Sequence, residues 1–92
     1  MIGISAQISL YPLGEHDLAP AIQDVLDVLA ARGLPYKMGS MSTVTWGEDS
    51  QVFDALREAF ARATERGSAV MTITVSNACP IPQTFIKDDT HV

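Results

Sequence analysis

The stretch GISAQISLYPLG, Gly3 to Gly14, decides how the rest of this 92-residue chain is read. Ile4, Ala6, Ile8 and Leu10 fall on one side of an extended backbone, and Ser5, Gln7, Ser9 and Tyr11 on the other. A period of two is the signature of a strand with one buried face. The second face is unusual. An exposed strand face ordinarily carries Lys, Glu or Arg, which stay solvated cheaply, whereas this one carries hydroxyls, an amide and a phenol. Neutral groups of that kind suit a surface whose hydrogen bonds go to a ligand or a subunit, because they cost less to desolvate than charges. Pro12 ends the strand by removing a donor, and Gly14 loosens the chain after it.

Outward from this strand the periodicity changes. In HDLAPAIQDVLDVLAARG, Leu18, Ile22, Val25, Leu26 and Leu29 recur at helical spacing. Asp17 suits an N-cap, Pro20 a first turn and Gly33 the position after a helix end. PYKMGSMSTVTWGE reads as two short strands around a turn within Gly39 to Ser42, with Pro35 opening an edge strand. DSQVFDALREAFARATERG is a second helix with Val52, Phe53, Leu56, Phe60 and Ala63 as its apolar stripe and an N-cap at Asp49 or Ser50. Glu58 and Arg62 form an i,i+4 pair, and Gly67 stops the helix. SAVMTITVSN is the last strand, and ACPIPQTFIKDDTHV reads as an extended tail. The order β-α-β-β-α-β predicts an α+β, ferredoxin-like domain over residues 1–80 followed by a tail over 81–92. Its sheet is four-stranded and antiparallel, with both helices on one face. The two long strands, first and last, are expected at the centre, adjacent to each other. Ser5, Gln7, Ser9 and Tyr11 then lie beside Thr72, Thr74 and Ser76 on the helix-free face.

The bulk properties narrow the function. Six basic residues against eleven acidic ones leave a net charge of −5, which opposes nucleic acid as a partner. The single cysteine, Cys79, excludes an internal disulfide, and no CxxC pair is present. The start MIGISAQ has neither a basic region nor a long apolar run, and nothing approaches a membrane-spanning length, so a cytoplasmic chain with no membrane insertion is expected. No nucleophile elbow, phosphate-binding loop, dinucleotide fingerprint or zinc-binding helix motif occurs.

The individual chemistry-bearing residues read modestly. Glu15, His16 and Asp17 cluster after the first strand at a spacing that matches no standard metal site, and helix entry explains them better. Glu48 and Asp49 suit the positive end of the second helix dipole. Trp46 and Tyr36 offer aromatic walls for a flat ring or a cation, against the plainer reading of packing. Met38 and Met41 read as core filler. Asn77 and Cys79 in SNACP read first as a turn, because Cys79 has no adjacent base to activate it.

Taken together, AQISLYPLG, YKMGSMSTVTWG and SNACP resemble the YkoF-like family that binds thiamine and hydroxymethylpyrimidine, over Ile4 to Pro80. The resemblance implies a ferredoxin-like domain that binds thiamine or its pyrimidine moiety without catalysis, as a carrier or sensor in salvage or transport, with no cofactor. It implies a homo-oligomer, a dimer or tetramer, since some members carry two such domains in one chain. Carried onto this sequence, the ligand-binding residues are Gln7, Ser9, Tyr11, Ser40, Met41, Ser42, Thr43, Ser76, Asn77 and Cys79, with Trp46 added as a wall. An interaction or regulatory module that binds another small ligand, or none, is the alternative.

Overall fold

The computed structural model describes residues 2–14 and 17–78. Along the chain, β1 (Gly3–Pro12), α1 (Ala19–Ala31), β2 (Tyr36–Met38), β3 (Thr43–Glu48), α2 (Asp49–Thr64) and β4 (Ala69–Ser76) follow one another. The strands form one antiparallel sheet in the order β2-β3-β1-β4, and both helices lie on one face. This is the expected ferredoxin-like α+β architecture. One placement differs from expectation. β1 and β3 are the central pair, and β4 is an edge strand. β3 is only six residues long, yet it enters the centre because the short hairpin must fold back beside β1, leaving β4 the outer side.

The alternation in β1 holds along its length. Ile4, Ala6, Ile8 and Leu10 are buried against the helices. Register places Ser5 opposite Ser76 and Trp46, Gln7 opposite Thr74 and Val44, and Ser9 opposite Thr72. The neutral polar face is therefore continuous across β1 and β4.

Helix α1 ends where expected. Gly33 has φ +72°, which a residue with a Cβ adopts only at a cost, and its amide donates to the carbonyl of Ala30 while that of Leu34 donates to Leu29. Leu18, not Asp17, occupies the N-cap position, but Asp17 Oδ1 still accepts from the Ala19 amide at 3.0 Å. Its buried side chains are Ala21, Val25, Leu26, Val28 and Leu29, so Val28 joins the core and Leu18 stays exposed.

In α2 the buried stripe is Val52, Ala55, Leu56, Ala59 and Ala63. Phe53 and Phe60, expected inside, are exposed. The small alanines allow α2 to approach the sheet closely, and the bulky phenylalanines lie round the helix from that contact. Glu48, not Asp49 or Ser50, stands at the N-cap. Glu58 accepts from Arg32 Nε at 2.7 Å across the helix pair, where the sequence suggests Arg62 as its partner. Arg66 likewise reaches across α1 to Asp24, Nε to Oδ2 at 2.7 Å. That hydrogen bond, with the charge of Arg66 and more remotely Arg62, holds the Asp24 carboxyl below the usual carboxylate range, against a smaller opposing effect of burial. At Gly47, φ +159°, a Cβ would strain the backbone and meet Leu34 Cδ2 at 2.9 Å, so any other residue there would have to push the Leu34 side chain aside.

Candidate functional site

The hairpin phrase YKMGSMSTVTWG folds around a tight turn. The Gly39 amide donates to the Ser42 carbonyl at 2.7 Å, and Met38 pairs with Thr43 at its base. Three of the four turn residues, Gly39, Ser40 and Ser42, are small. The N-terminal half of α1 stands opposite them. Small residues facing a helix leave space that large ones would fill, and a cavity of about 370 Å³ opens there. Its floor is Ile8 and Leu10 of β1. Its roof is Leu18, Ile22, Val25 and Leu26 of α1, and its lip is Met38 to Thr43.

The polar groups in this wall are few. Thr43 is 6 % exposed, sits on the helix side of β3, and is the one buried polar residue among the described residues that line the cavity. The other buried threonine, Thr45, donates to the Pro35 carbonyl at 2.8 Å and is spoken for. Ser40, Ser42 and Tyr11 stand at the mouth, and so does Gln23, whose Nε2 donates to Asp27 Oδ1 at 2.9 Å. Among the described residues no charged side chain lines the cavity. Such a wall holds a flat ring by apolar contact and orients it by a few neutral hydrogen bonds. Among the described residues no group of three His, Cys, Asp or Glu side chains comes together, and no helix is long and apolar enough to cross a membrane.

The expected site residues divide into three sets. Tyr11, Ser40, Met41, Ser42 and Thr43 meet at the cavity. Gln7 and Ser9 lie on the other face of β1, yet both reach the same turn: Gln7 Nε2 donates to Ser42 Oγ and Ser9 Oγ to the Met41 carbonyl, each at 3.3 Å. They hold the turn from behind. Trp46 and Ser76 lie on the helix-free face, two residues along their strands from the partners of Gln7, and Asn77 follows β4. Cys79 lies outside the described residues, as do Glu15, His16 and the tail over 81–92. Tyr36 pairs with Thr45 and so lies on the opposite face from Trp46; the two do not wall one site. Met38 and Met41 are exposed at the cavity lip instead of filling the core.

The α1 residues of the wall escaped the sequence reading. Leu18, Ile22 and Gln23 belong to a helical stripe whose first turn has no bulky residue to meet. The signal was present in principle, since an apolar stripe beginning at Leu18 faces a turn built of glycine and serines. Reading it requires knowing that α1 and the turn are neighbours.

Comparison with known proteins follows the same geometry. The profile described as the YKOF-related family matches residues 3–82. No curated protein matches. Among solved structures, a hypothetical protein from Methanocaldococcus jannascii superposes with a TM-score of 0.83 at 18 % identity, covering 100 % of both chains. A candidate thiamine biosynthesis/salvage protein from Thermotoga maritima gives a TM-score of 0.78 at 17 % identity over 98 % of this chain and 99 % of that one. A protein from Streptococcus pneumoniae gives 0.81 at 18 % identity over 92 % and 99 %. At such identities the likeness is one of fold.

Proposed function

Since the chain belongs to the YKOF-related family, we propose that it binds thiamine or its hydroxymethylpyrimidine moiety, without catalysis, in the cavity between α1 and the β2–β3 turn. The observation that carries this reading is an uncharged, mostly apolar wall in which Thr43, 6 % exposed, is the one buried polar residue among the described lining residues and brings a hydroxyl to it. A hydroxyl both donates and accepts, so it can meet either a ring nitrogen or the exocyclic amine of an aminopyrimidine. The cavity volume lies at the small end of the range for ligand sites, which suits one ring well and two rings only partly. The pyrimidine ring occupies the apolar depth, and Ser40, Ser42 and Gln23 meet its substituents at the mouth. The thiazolium of thiamine, a fixed cation, stays toward solvent, where a protein of net charge −5 favours it. The solved Thermotoga structure, named for thiamine biosynthesis or salvage, supports the assignment of ligand class. The biological role is that of a cytoplasmic carrier or sensor, working as a homo-oligomer.

Titration calorimetry with thiamine, hydroxymethylpyrimidine and an unrelated neutral heterocycle tests the reading. Saturable heats with the first two and none with the third are expected. A flat titration with both at millimolar concentration rejects the ligand and leaves the alternative, an interaction module that binds something else or nothing.

A further inference from the structure

We propose that Met38 and Met41 are a modification site for hydroperoxides at the lip of the cavity, and that oxidising their thioethers to sulfoxides weakens ligand binding. The effect on binding rests on the ligand proposed above; the modification itself does not.

The first observation is how differently the methionines are placed. The chain has four, Met1, Met38, Met41 and Met71, of which Met1 lies outside the described residues. Met71 is half-buried and packs against the core. Met38 and Met41 are 58 % and 75 % exposed, and both line the cavity. Packing in a core accounts for Met71 and leaves the other two unexplained.

The second observation is that the turn fixes where these side chains stand. Met38 closes β2, paired with Thr43 on the helix side of the sheet. Met41 is the third residue of the turn that the Gly39 amide closes on the Ser42 carbonyl, and its own carbonyl accepts from Ser9 Oγ at 3.3 Å. The backbone of Met41 is therefore tethered while its side chain is open to solvent. Two accessible thioethers flank one short turn at the mouth of one cavity.

A thioether needs no neighbouring base, because its sulfur lone pair is available without losing a proton. Its susceptibility follows access by the oxidant, which singles out Met38 and Met41 over Met71. The sulfur attacks one oxygen of the hydroperoxide, so that an S–O bond forms as the O–O bond breaks. The proton of the transferred oxygen passes to the departing one, which leaves as water or an alcohol. The sulfur gives up two electrons and the hydroperoxide takes them. The product is a polar side chain where a flexible apolar one stood, and reductases specific for each sulfoxide epimer reverse it. A ring seated against an apolar lip covers these side chains at no polar cost. Once they are sulfoxides, covering them strips water from two strong acceptors with no matching donor assured. By the same geometry, a bound ring shields the sulfurs from the oxidant.

The test uses the full chain with Cys79→Ser, so that the thiol consumes no oxidant. Hydrogen peroxide is added, quenched with catalase, and the protein is divided between peptide mass mapping and calorimetry with thiamine. Met38 and Met41 should gain one oxygen each, well ahead of Met71. Thiamine affinity should fall by about fivefold or more, and should return after treatment with both sulfoxide reductases. Met38→Leu with Met41→Leu, whatever its own affinity, should bind equally well before and after peroxide. Hydroxymethylpyrimidine present during oxidation should slow the reaction at 38 and 41 and leave its rate at 71 unchanged, a readout that needs no substitution at the lip if the leucine variant does not fold. Oxidation of 38 and 41 no faster than of 71 overturns the modification site. Full oxidation without a change in affinity overturns its effect on binding and leaves the ligand reading standing, and so does an equal loss in the leucine variant. No saturable binding before any peroxide is added overturns the ligand reading, and the coupling of oxidation to binding falls with it.

Discussion

The two ends of α1 obey the same hydrophobic pattern and do different things. At the C-terminal end, Val28 and Leu29 are essentially inaccessible, held in the core with Leu34 and the α2 stripe. At the N-terminal end, Leu18 is 42 % exposed, and the same stripe roofs a cavity of about 370 Å³. What differs is the opposing surface. The first belongs to one continuous core cluster with Leu34, Val52 and Leu56, and the second faces a turn in which Gly39, Ser40 and Ser42 are small. An apolar stripe is a core only where its neighbour fills the gap; where the neighbour is small, it is a wall.

The sharpest test of that contrast is stability. Leu29→Ala should lower unfolding free energy by roughly 2–5 kcal/mol, the usual range for emptying a packed aliphatic site. Leu18→Ala, at the open end, should change it by less than about 1 kcal/mol. Urea denaturation followed by circular dichroism reads both, and equal losses would mean the two ends are packed alike.

Binding should invert the order. Thr43→Val keeps the shape and removes the hydroxyl of the one buried polar residue among the described lining residues. Thiamine affinity should fall by about 1–3 kcal/mol while the fold stays about as stable, because a methyl of the same shape replaces the hydroxyl in the wall. Calorimetry beside a thermal melt separates the two effects. If affinity and stability fall together, Thr43 is a packing residue.

A smaller effect is expected behind the turn. Gln7→Ala removes the 3.3 Å bond to Ser42 Oγ, an exposed and long contact, and should weaken binding by about 0.5–1.5 kcal/mol through a looser lip. A larger loss would show that Gln7 touches the ligand itself and that the site extends to the helix-free face.

The smallest effect is electrostatic and lies at the seam where α1 meets α2. Arg66 holds the Asp24 carboxyl below its ordinary value of 3.8. A carboxylate with a lowered folded pKa contributes stability that is complete above the unfolded value and is lost as pH falls through the folded one. Arg66→Ala should therefore raise the Asp24 titration toward its ordinary value. Its stability deficit should be full at neutral pH and should close in acid. Carboxyl chemical shifts followed against pH check the direction, and an unmoved Asp24 would rule out the pair as the cause.

Against these particulars, β1 was the most legible element. The strict alternation from Ile4 to Tyr11 is a local property, and one buried face forces it whatever the neighbours. The turn at Gly39–Ser42 and the stop at Gly33 were legible for the same reason, since a tight turn and a left-handed residue are demands on single positions. Phe53 and Phe60 were misread because hydrophobicity at helical spacing does not distinguish a core from an uncovered flank. The partner of Glu58 was misread because an i,i+4 arginine on the same helix competes with one that only tertiary packing brings near.

The sequence by itself determined the element order, the antiparallel sheet, the buried face of β1 and the neutral character of the opposite face. Each follows from the period of apolar residues or the conformational demands of glycine and proline, and both act over a few neighbours. Only the tertiary structure decided that β3 sits at the centre and β4 at the edge, that Gln7 and Ser9 brace a turn, and that Leu18, Ile22 and Thr43 share a cavity. Those outcomes depend on which surfaces meet across more than twenty residues of chain, and no local pattern encodes the size of the side chain on the other side.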